Sequence, residues 1–173
     1  MKWLLLSDNH GRWQAVNDLV DKYRHEVGAI FHCGDSEFPF DDPIWDKIDY
    51  VVAGNMDFDP QFAKQAEVET PEGRVFLVHG HRHGVNLDNQ ELLGLAKEKG
   101  YQFVFHGHTH RLYAEMRDGI LFVNPGSFNH SRGPIDQRTY AILTFGEGTL
   151  RVDFFDESHQ VIPGISQTFG WPL

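Results

Sequence analysis

Short apolar runs that stop abruptly at polar, glycine-containing ends punctuate the first two thirds of the chain. Lys2 to Leu6 reads as a buried strand ending at Ser7-Asp8-Asn9-His10-Gly11. The period then changes: Val16, Leu19, Val20 and Tyr23 recur at helical spacing and predict a helix over residues 12 to 26. Ala29-Ile30-Phe31 predicts a second strand closed by His32-Cys33-Gly34-Asp35. Tyr50-Val51-Val52 predicts a third, closed by Gly54-Asn55-Met56-Asp57. Between these two, Pro43 is placed to open a short helix through Lys47.

The second half turns strand-rich. Glu67 to Thr70 and Arg74 to Val78 flank Pro71-Glu72-Gly73, a hairpin signal. Asp88 is positioned to cap a helix through Lys99, with Leu92, Leu93, Leu95 and Ala96 as its apolar face and Gly100 as the stop. Residues 102 to 106 read as the next strand. Strands at 111–116, 120–123, 138–145 and 149–156 follow, with turns at Asp118-Gly119 and Gly146-Glu147-Gly148. Few helices and many strands predict two sheets packed together with helices on the outer faces.

Bulk composition narrows this picture. A length of 173 residues predicts one domain, residues 1 to 173, large enough for a real core. Trp3-Leu4-Leu5-Leu6 is too short for a signal peptide, and no stretch approaches the roughly 20 apolar residues of a membrane span. The lone Cys33 fits a reducing compartment, so the expectation is a cytoplasmic protein without a membrane association. A formal charge of −10 repels polyanions, and no stable nucleic-acid complex is expected.

Histidine placement changes the picture most. Six of the eleven histidines fall between residues 79 and 110, four of them in His79-Gly80-His81 and Gly107-His108-Thr109-His110, each stretch following an apolar strand. Residues able to bind metal share that address throughout. Asp8 and His10 follow the first strand, Asp35 the second, Asn55 the third, His79 the hairpin, and His108 and His110 the strand at 102–106. Ligands in α/β sheets bind beyond the carboxyl ends of strands, so these loops are expected to converge on one metal-binding cleft.

In these five pieces (Asp8-x-His10, Gly34-Asp35, Gly54-Asn55-x-Asp57, His79-Gly80-His81 and Gly107-His108-Thr109-His110) the chain resembles the calcineurin-like metallophosphoesterases, specifically their small single-domain phosphodiesterase branch. Asn124-Pro125-Gly126-Ser127 is also similar to that branch. The resemblance implies a four-layer αββα sandwich of two mixed sheets flanked by helices. It further implies two divalent metal ions. Asp8, His10, Asp35 and His110 would hold the first, and Asp35, Asn55, His79 and His108 the second, with Asp35 bridging. Imidazole and carboxylate ligands suit manganese first, with nickel, iron, zinc or magnesium also compatible.

The activity so implied is hydrolysis of a small phosphodiester by in-line attack of a hydroxide bridging the two metals. Phosphomonoester or nucleotide pyrophosphate hydrolysis at the same site is the alternative, and a catalytically inactive protein-binding scaffold of the same fold is a third reading. One departure stands out: Met56 occupies the place where many relatives carry a histidine that serves the leaving group. Asn55 is then a candidate phosphate contact, and Asp57 or His81 a candidate proton donor. Aryl diesters with good leaving groups are expected to turn over better than alkyl ones.

Other residues invite humbler readings. Cys33 reads as a small buried hydrophobe and His32 as a buried, hydrogen-bonded histidine. His83, His106 and His130 default to exposed or supporting roles, and Arg82 and Arg111 are candidates to grip a phosphate. Trp13, Phe58 and Phe62 read as packing residues before stacking platforms. The apolar tail from Ser158 to Leu173 is expected to dock on its own domain or on a second copy, which leaves a homo-oligomer open.

Overall fold

The computed structural model describes residues 1–172, so Leu173 of the apolar tail lies outside the described residues. In chain order the elements are β1 (Lys2–Leu6), α1 (Trp13–Tyr23), β2 (Ala29–His32), a 3₁₀ turn (Pro43–Asp46), β3 (Tyr50–Val51), β4 (Gln65–Thr70), β5 (Gly73–Val78) and α2 (Gln90–Lys99). After these come β6 (Phe103–Phe105), β7 (Tyr113–Arg117), β8 (Ile120–Asn124), β9 (Thr139–Gly146), β10 (Thr149–Asp156) and β11 (Gln167–Gly170). One sheet runs β11-β10-β9-β1-β2-β3, the other β4-β5-β6-β8-β7. Both are mixed, with parallel neighbours β1-β2-β3 at one edge of the first and β5-β6-β8 at the centre of the second.

Alternation along the buried strands sorts their side chains into layers. Trp3 and Leu5 of β1 enter the core between the sheets, while Leu4 and Leu6 face the outer side with Val16, Leu19 and Val20 of α1. In the second sheet Val75, Leu77, Phe103 and Phe105 face inward, while Phe76, Val78 and Val104 meet Leu92, Leu93 and Ala96 of α2. The continuous apolar runs therefore serve two faces at once, and the layers read helix, sheet, sheet, helix. Trp3 anchors the centre, packing edge-on against Phe103 and Phe145 at 5.2 and 4.6 Å.

Local ends differ from the sequence expectation for visible reasons. α1 stops at Tyr23, not 26, because the Glu26 and Val27 amides both turn back to the Tyr23 carbonyl. Asp88 does not sit at the α2 N-cap position; Asn89 does, and Asp88 Oδ1 instead accepts from the Gln90 amide at 3.0 Å. Gly100 ends α2 in the left-handed region at φ 76°, a conformation glycine adopts without penalty. Asp42 Oδ1 caps the 3₁₀ turn that Pro43 opens.

The tail supplies β11, which adds antiparallel to β10, and Trp171 is buried in the inter-sheet core with its indole donating to the Glu72 carbonyl. Its described part thus docks on its own sheet. Among the described residues no helix is long and apolar enough to cross a membrane.

Candidate metal centre

The loops following β1, β2, β3, β5 and β6 meet at one edge of the sandwich and are stitched to each other by backbone hydrogen bonds. The amides of Asp8 and His10 donate to the carbonyls of Gly34 and Asp35, each at 3.0 Å, and the Gly107 amide donates to the His79 carbonyl at 3.1 Å. Two glycines let these loops touch. A Cβ on Gly54 would collide with the Asp35 carboxylate, and one on Gly107 with the side chains of Ser7 and Asp8.

Backbone strain concentrates here as well. Asp8, His10, Asp35, His108 and His110 all have positive φ, between 41° and 72°. Asp and His tolerate this region better than most residues, yet each instance costs on the order of 1–3 kcal/mol. The surrounding hydrogen bonds hold these positions where the side chains can converge.

Converge they do. Asp8, His10 and His110 form one group of potential ligand atoms, and Asp8, Asp35 and His79 a second, with the atoms of each group all within 4.8 Å of one another. Asp35 Oδ2 lies 3.1 Å from His79 Nε2 and 3.7 Å from His10 Nε2, so it stands between the groups. Asp8 Oδ1 does the same, at 3.2 Å from His110 Nε2 and 3.6 Å from His79 Nε2. Asn55 Oδ1 joins the second group at 3.1 Å from His79 Nε2 and 3.2 Å from His108 Nδ1. The structure brings all seven expected ligands into one cluster.

The donor chemistry of the cluster suits cations. His110 Nδ1 faces the His130 carbonyl at 2.7 Å and His79 Nδ1 the Cys33 carbonyl at 2.8 Å. A carbonyl only accepts, so these nitrogens carry the hydrogen and present the Nε2 lone pairs to the cluster. His10 Nδ1 likewise faces Glu37 Oε2 at 3.0 Å, and its Nε2 meets that of His110 at 3.3 Å. Lone pair thus meets lone pair, and the buried Asp8 Oδ1 has no hydrogen-bond donor at all. A positive charge among these atoms reconciles them.

Titration tells the same story. Burial raises the Asp8 pKa, but the close approach of His110 and the charge of His79 outweigh it and hold the carboxyl far below its usual range. For His79, burial opposes charge, while the Asp35 hydrogen bond and the charges of Asp8 and Asp35 hold the imidazole above its ordinary value.

The remaining site residues divide by contact. Asp57 points away from the cluster: its oxygens accept from the amides of Asp35, Glu37 and Gly54 at 2.7, 2.8 and 2.8 Å, which fixes the two ligand loops against each other. His81 is half-buried with its ring 5.5 Å from that of His79, and its buried Nδ1 has no partner. Burial first, then the charges of His79 and His108, lower its pKa. The Met56 side chain is exposed, while its amide donates to Asp35 Oδ1 at 2.8 Å.

His32 is buried between Asn9 Oδ1 and the Gly34 amide, and burial pushes its pKa down to about 4. His106 is buried too, while the exposed His130 offers only its carbonyl. Cys33 packs in the core, Phe62 is buried against Phe40 and Trp45, and Phe58 stands exposed. Asn124 and Ser127 are buried and brace loops with their side chains: Asn124 Nδ2 donates to Thr109 Oγ1 and Ser127 Oγ to the Asp8 carbonyl.

Four supports escape sequence reasoning. Ser7 Oγ donates to Asp8 Oδ2 at 2.6 Å, Glu37 aligns His10, and the Cys33 and His130 carbonyls orient two imidazoles. The only sequence signal among them is the adjacency of Ser7 to Asp8.

Comparison with known proteins agrees with this geometry. The model of the calcineurin-like phosphoesterase superfamily domain matches residues 1–148. The chain is similar to the probable metallophosphoesterase YsnB of Bacillus subtilis, 32% identical over 160 residues, covering 91% of this chain and 92% of that protein. It superposes on a Streptococcus pneumoniae protein described as a predicted phosphoesterase with a TM-score of 0.93 and 36% identity, covering 98% and 97% of the two chains. Remoter structures show the fold alone. Vps29 of Chaetomium thermophilum has a TM-score of 0.74 at 17% identity over 99% and 100% of the chains, and an archaeal phosphodiesterase 0.65 at 23% over 98% and 100%. With its αββα layers and its Asp–His–Asn cluster, this chain belongs to the calcineurin-like phosphoesterase superfamily.

Proposed function

We propose that the protein is a phosphodiesterase that hydrolyses small phosphodiesters at a pair of divalent cations, manganese by preference. The observation that carries this reading is the two-sided placement of Asp35 Oδ2 and Asp8 Oδ1 between two sets of imidazoles and an asparagine amide. Asp8, His10, Asp35 and His110 would hold one cation, and Asp35, Asn55, His79 and His108 the other. Bound there, the cations supply an activated water and take up negative charge on the phosphoryl oxygens.

The chain's own residues do the rest. Asp57, Ser7 and Glu37 keep the ligand loops and rings in place. Hydrolysis joins a water oxygen to phosphorus and breaks one P–O ester bond, whose oxygen leaves with the electron pair and takes a proton. His81 is placed to handle that proton, being beside the cluster with an unpartnered ring nitrogen. Asp57 is less suited, because its oxygens are taken up by amides. We further propose that residues 1 to 173 form one cytoplasmic domain that acts on small diesters without a stable nucleic-acid complex.

The test is metal restoration. Chelator-treated protein is assayed on bis(p-nitrophenyl) phosphate and p-nitrophenyl phosphate with Mn²⁺, Ni²⁺, Zn²⁺ or Mg²⁺ added back, beside Asp35→Ala and His108→Ala. Diester cleavage restored by metal and lost in both variants is the expected result. Preference for the monoester moves the assignment to a phosphomonoesterase. Silence with every metal removes the enzymatic reading in favour of a binding scaffold.

A further inference from the structure

Beside the metal centre lies a cavity of about 380 Å³, within the size range of small-ligand sites. Thr109, between His108 and His110, contributes to its wall, so the cavity abuts the cluster. A chain of buried and half-buried polar groups contributes to its lining. His106 Nδ1 faces the Gly107 carbonyl at 3.0 Å and so carries the hydrogen, leaving Nε2 to accept from the Tyr113 hydroxyl at 2.6 Å. That hydroxyl in turn accepts from Asn89 Nδ2 at 2.7 Å.

The rim is cationic. Arg111 and Arg132 both line the cavity, and no carboxylate does. This is unusual in a chain with 25 acidic against 15 basic side chains. Four of the nine arginines pair with carboxylates: Arg12 and Arg138 share Glu157, Arg74 binds Glu69 and Arg151 binds Asp153. Among the described residues the Arg111 and Arg132 guanidiniums make no such pair. Two unpaired cations around one cavity repel each other until an anion enters, and planar guanidiniums match phosphate oxygens two at a time.

We propose that this cavity is an anion subsite in which Arg111 and Arg132 hold a second phosphoryl group of the substrate, so that the enzyme favours small phosphodiesters bearing an additional phosphate. The inference rests on the phosphodiesterase reading above and narrows its substrate class. Both guanidiniums are exposed, so the preference weakens as salt rises.

The experiment compares the thymidine dinucleotide TpT with its 5′-phosphorylated form pTpT and its 3′-phosphorylated form TpTp. Bis(p-nitrophenyl) phosphate, which lacks a second phosphate, serves as reference, and all are assayed on the metal-loaded enzyme. One phosphorylated form is expected to exceed TpT in kcat/KM by about tenfold, the scale of one charge-assisted hydrogen bond. The doubly substituted Arg111→Gln/Arg132→Gln enzyme is expected to lose that preference while keeping bis(p-nitrophenyl) phosphate turnover within about threefold. Arg111→Lys/Arg132→Lys is expected to restore part of it, since the charge remains but the paired donors do not.

Equal cleavage of all three dinucleotides overturns the subsite, and so does a preference that survives the double substitution or a uniform loss across all substrates. A second readout does not depend on turnover. In the zinc-loaded protein, inorganic phosphate is expected to shift the Nε–Hε resonances of Arg111 and Arg132 saturably. Failure to cleave bis(p-nitrophenyl) phosphate sinks the diesterase reading; unmoved arginine resonances sink the subsite.

Discussion

At Met56 the backbone amide still serves Asp35, but the side chain can carry no proton to a leaving group. The proposed proton donor is His81, an imidazole beside the cluster that burial and neighbouring charge keep below its ordinary pKa. A lowered pKa leaves less of the ring protonated near neutrality, which matters little when the leaving oxygen is stable as an anion and much when it is not. Rates across a series of aryl and alkyl methylphosphonate or phosphate diesters are therefore expected to fall steeply as leaving-group pKa rises. His81→Asn is expected to steepen that dependence, costing about tenfold or more on the poorest leaving group and little on p-nitrophenol. An equal loss on every leaving group in the variant would assign His81 to orientation alone. The seven ligand candidates are legible in the sequence because each is a distinctive residue type at a strand end. Their supports are not, since a carbonyl such as that of Cys33 has no sequence signature. Glu37 meets His10 only after the chain has gone out through β2 and returned.

At the scale of elements, the strands were legible wherever both faces are buried. β1 and β8 are apolar at nearly every position because one face meets the other sheet and the other a helix or the outer layer. β11 was not: Gln167–Gly170 is an edge strand with mostly exposed side chains, and its pairing to β10 is a backbone matter. What the elements do for the site is bring strand ends within touching distance, and Gly107 is where the tolerance is least. Between β6 and the His108 turn, its missing Cβ leaves the space that Ser7 and Asp8 occupy. Gly107→Ala is therefore expected to push Asp8 out of register and weaken metal binding by about tenfold to a hundredfold, as loss of a supporting contact does. Gly94→Ala, on α2 with open space around it, is the matched control and is expected to leave metal affinity unchanged. Metal affinity measured by competition with a chelating dye distinguishes the two; equal affinities would show that the loop gives way without disturbing the centre.

Over the whole molecule, ten net negative charges surround a site made to receive an anion. On the proposed reading, cations bound at the cluster would join Arg111 and Arg132 in reversing the sign locally within an acidic body. The same arrangement couples metal to stability. Asp8 and Asp35 are buried side by side in strained backbone, and a cation bound only by the folded chain stabilises it by mass action. At a hundredfold excess over Kd the gain is about 2.7 kcal/mol. For a chain of this size that corresponds to a rise in Tm of roughly 5–10 °C. Adding Mn²⁺ to chelator-treated protein is expected to produce that rise. Asp35→Ala is expected to abolish it, because Asp35 Oδ2 stands between both ligand groups. Arg111→Gln/Arg132→Gln is expected to retain it, since neither guanidinium touches the cluster's donors. Calorimetry with and without metal reads all three. A wild-type Tm indifferent to Mn²⁺, Zn²⁺ and Ni²⁺ alike would mean that the converging lone pairs are reconciled by protons on His79 and its neighbours, with no resident cation.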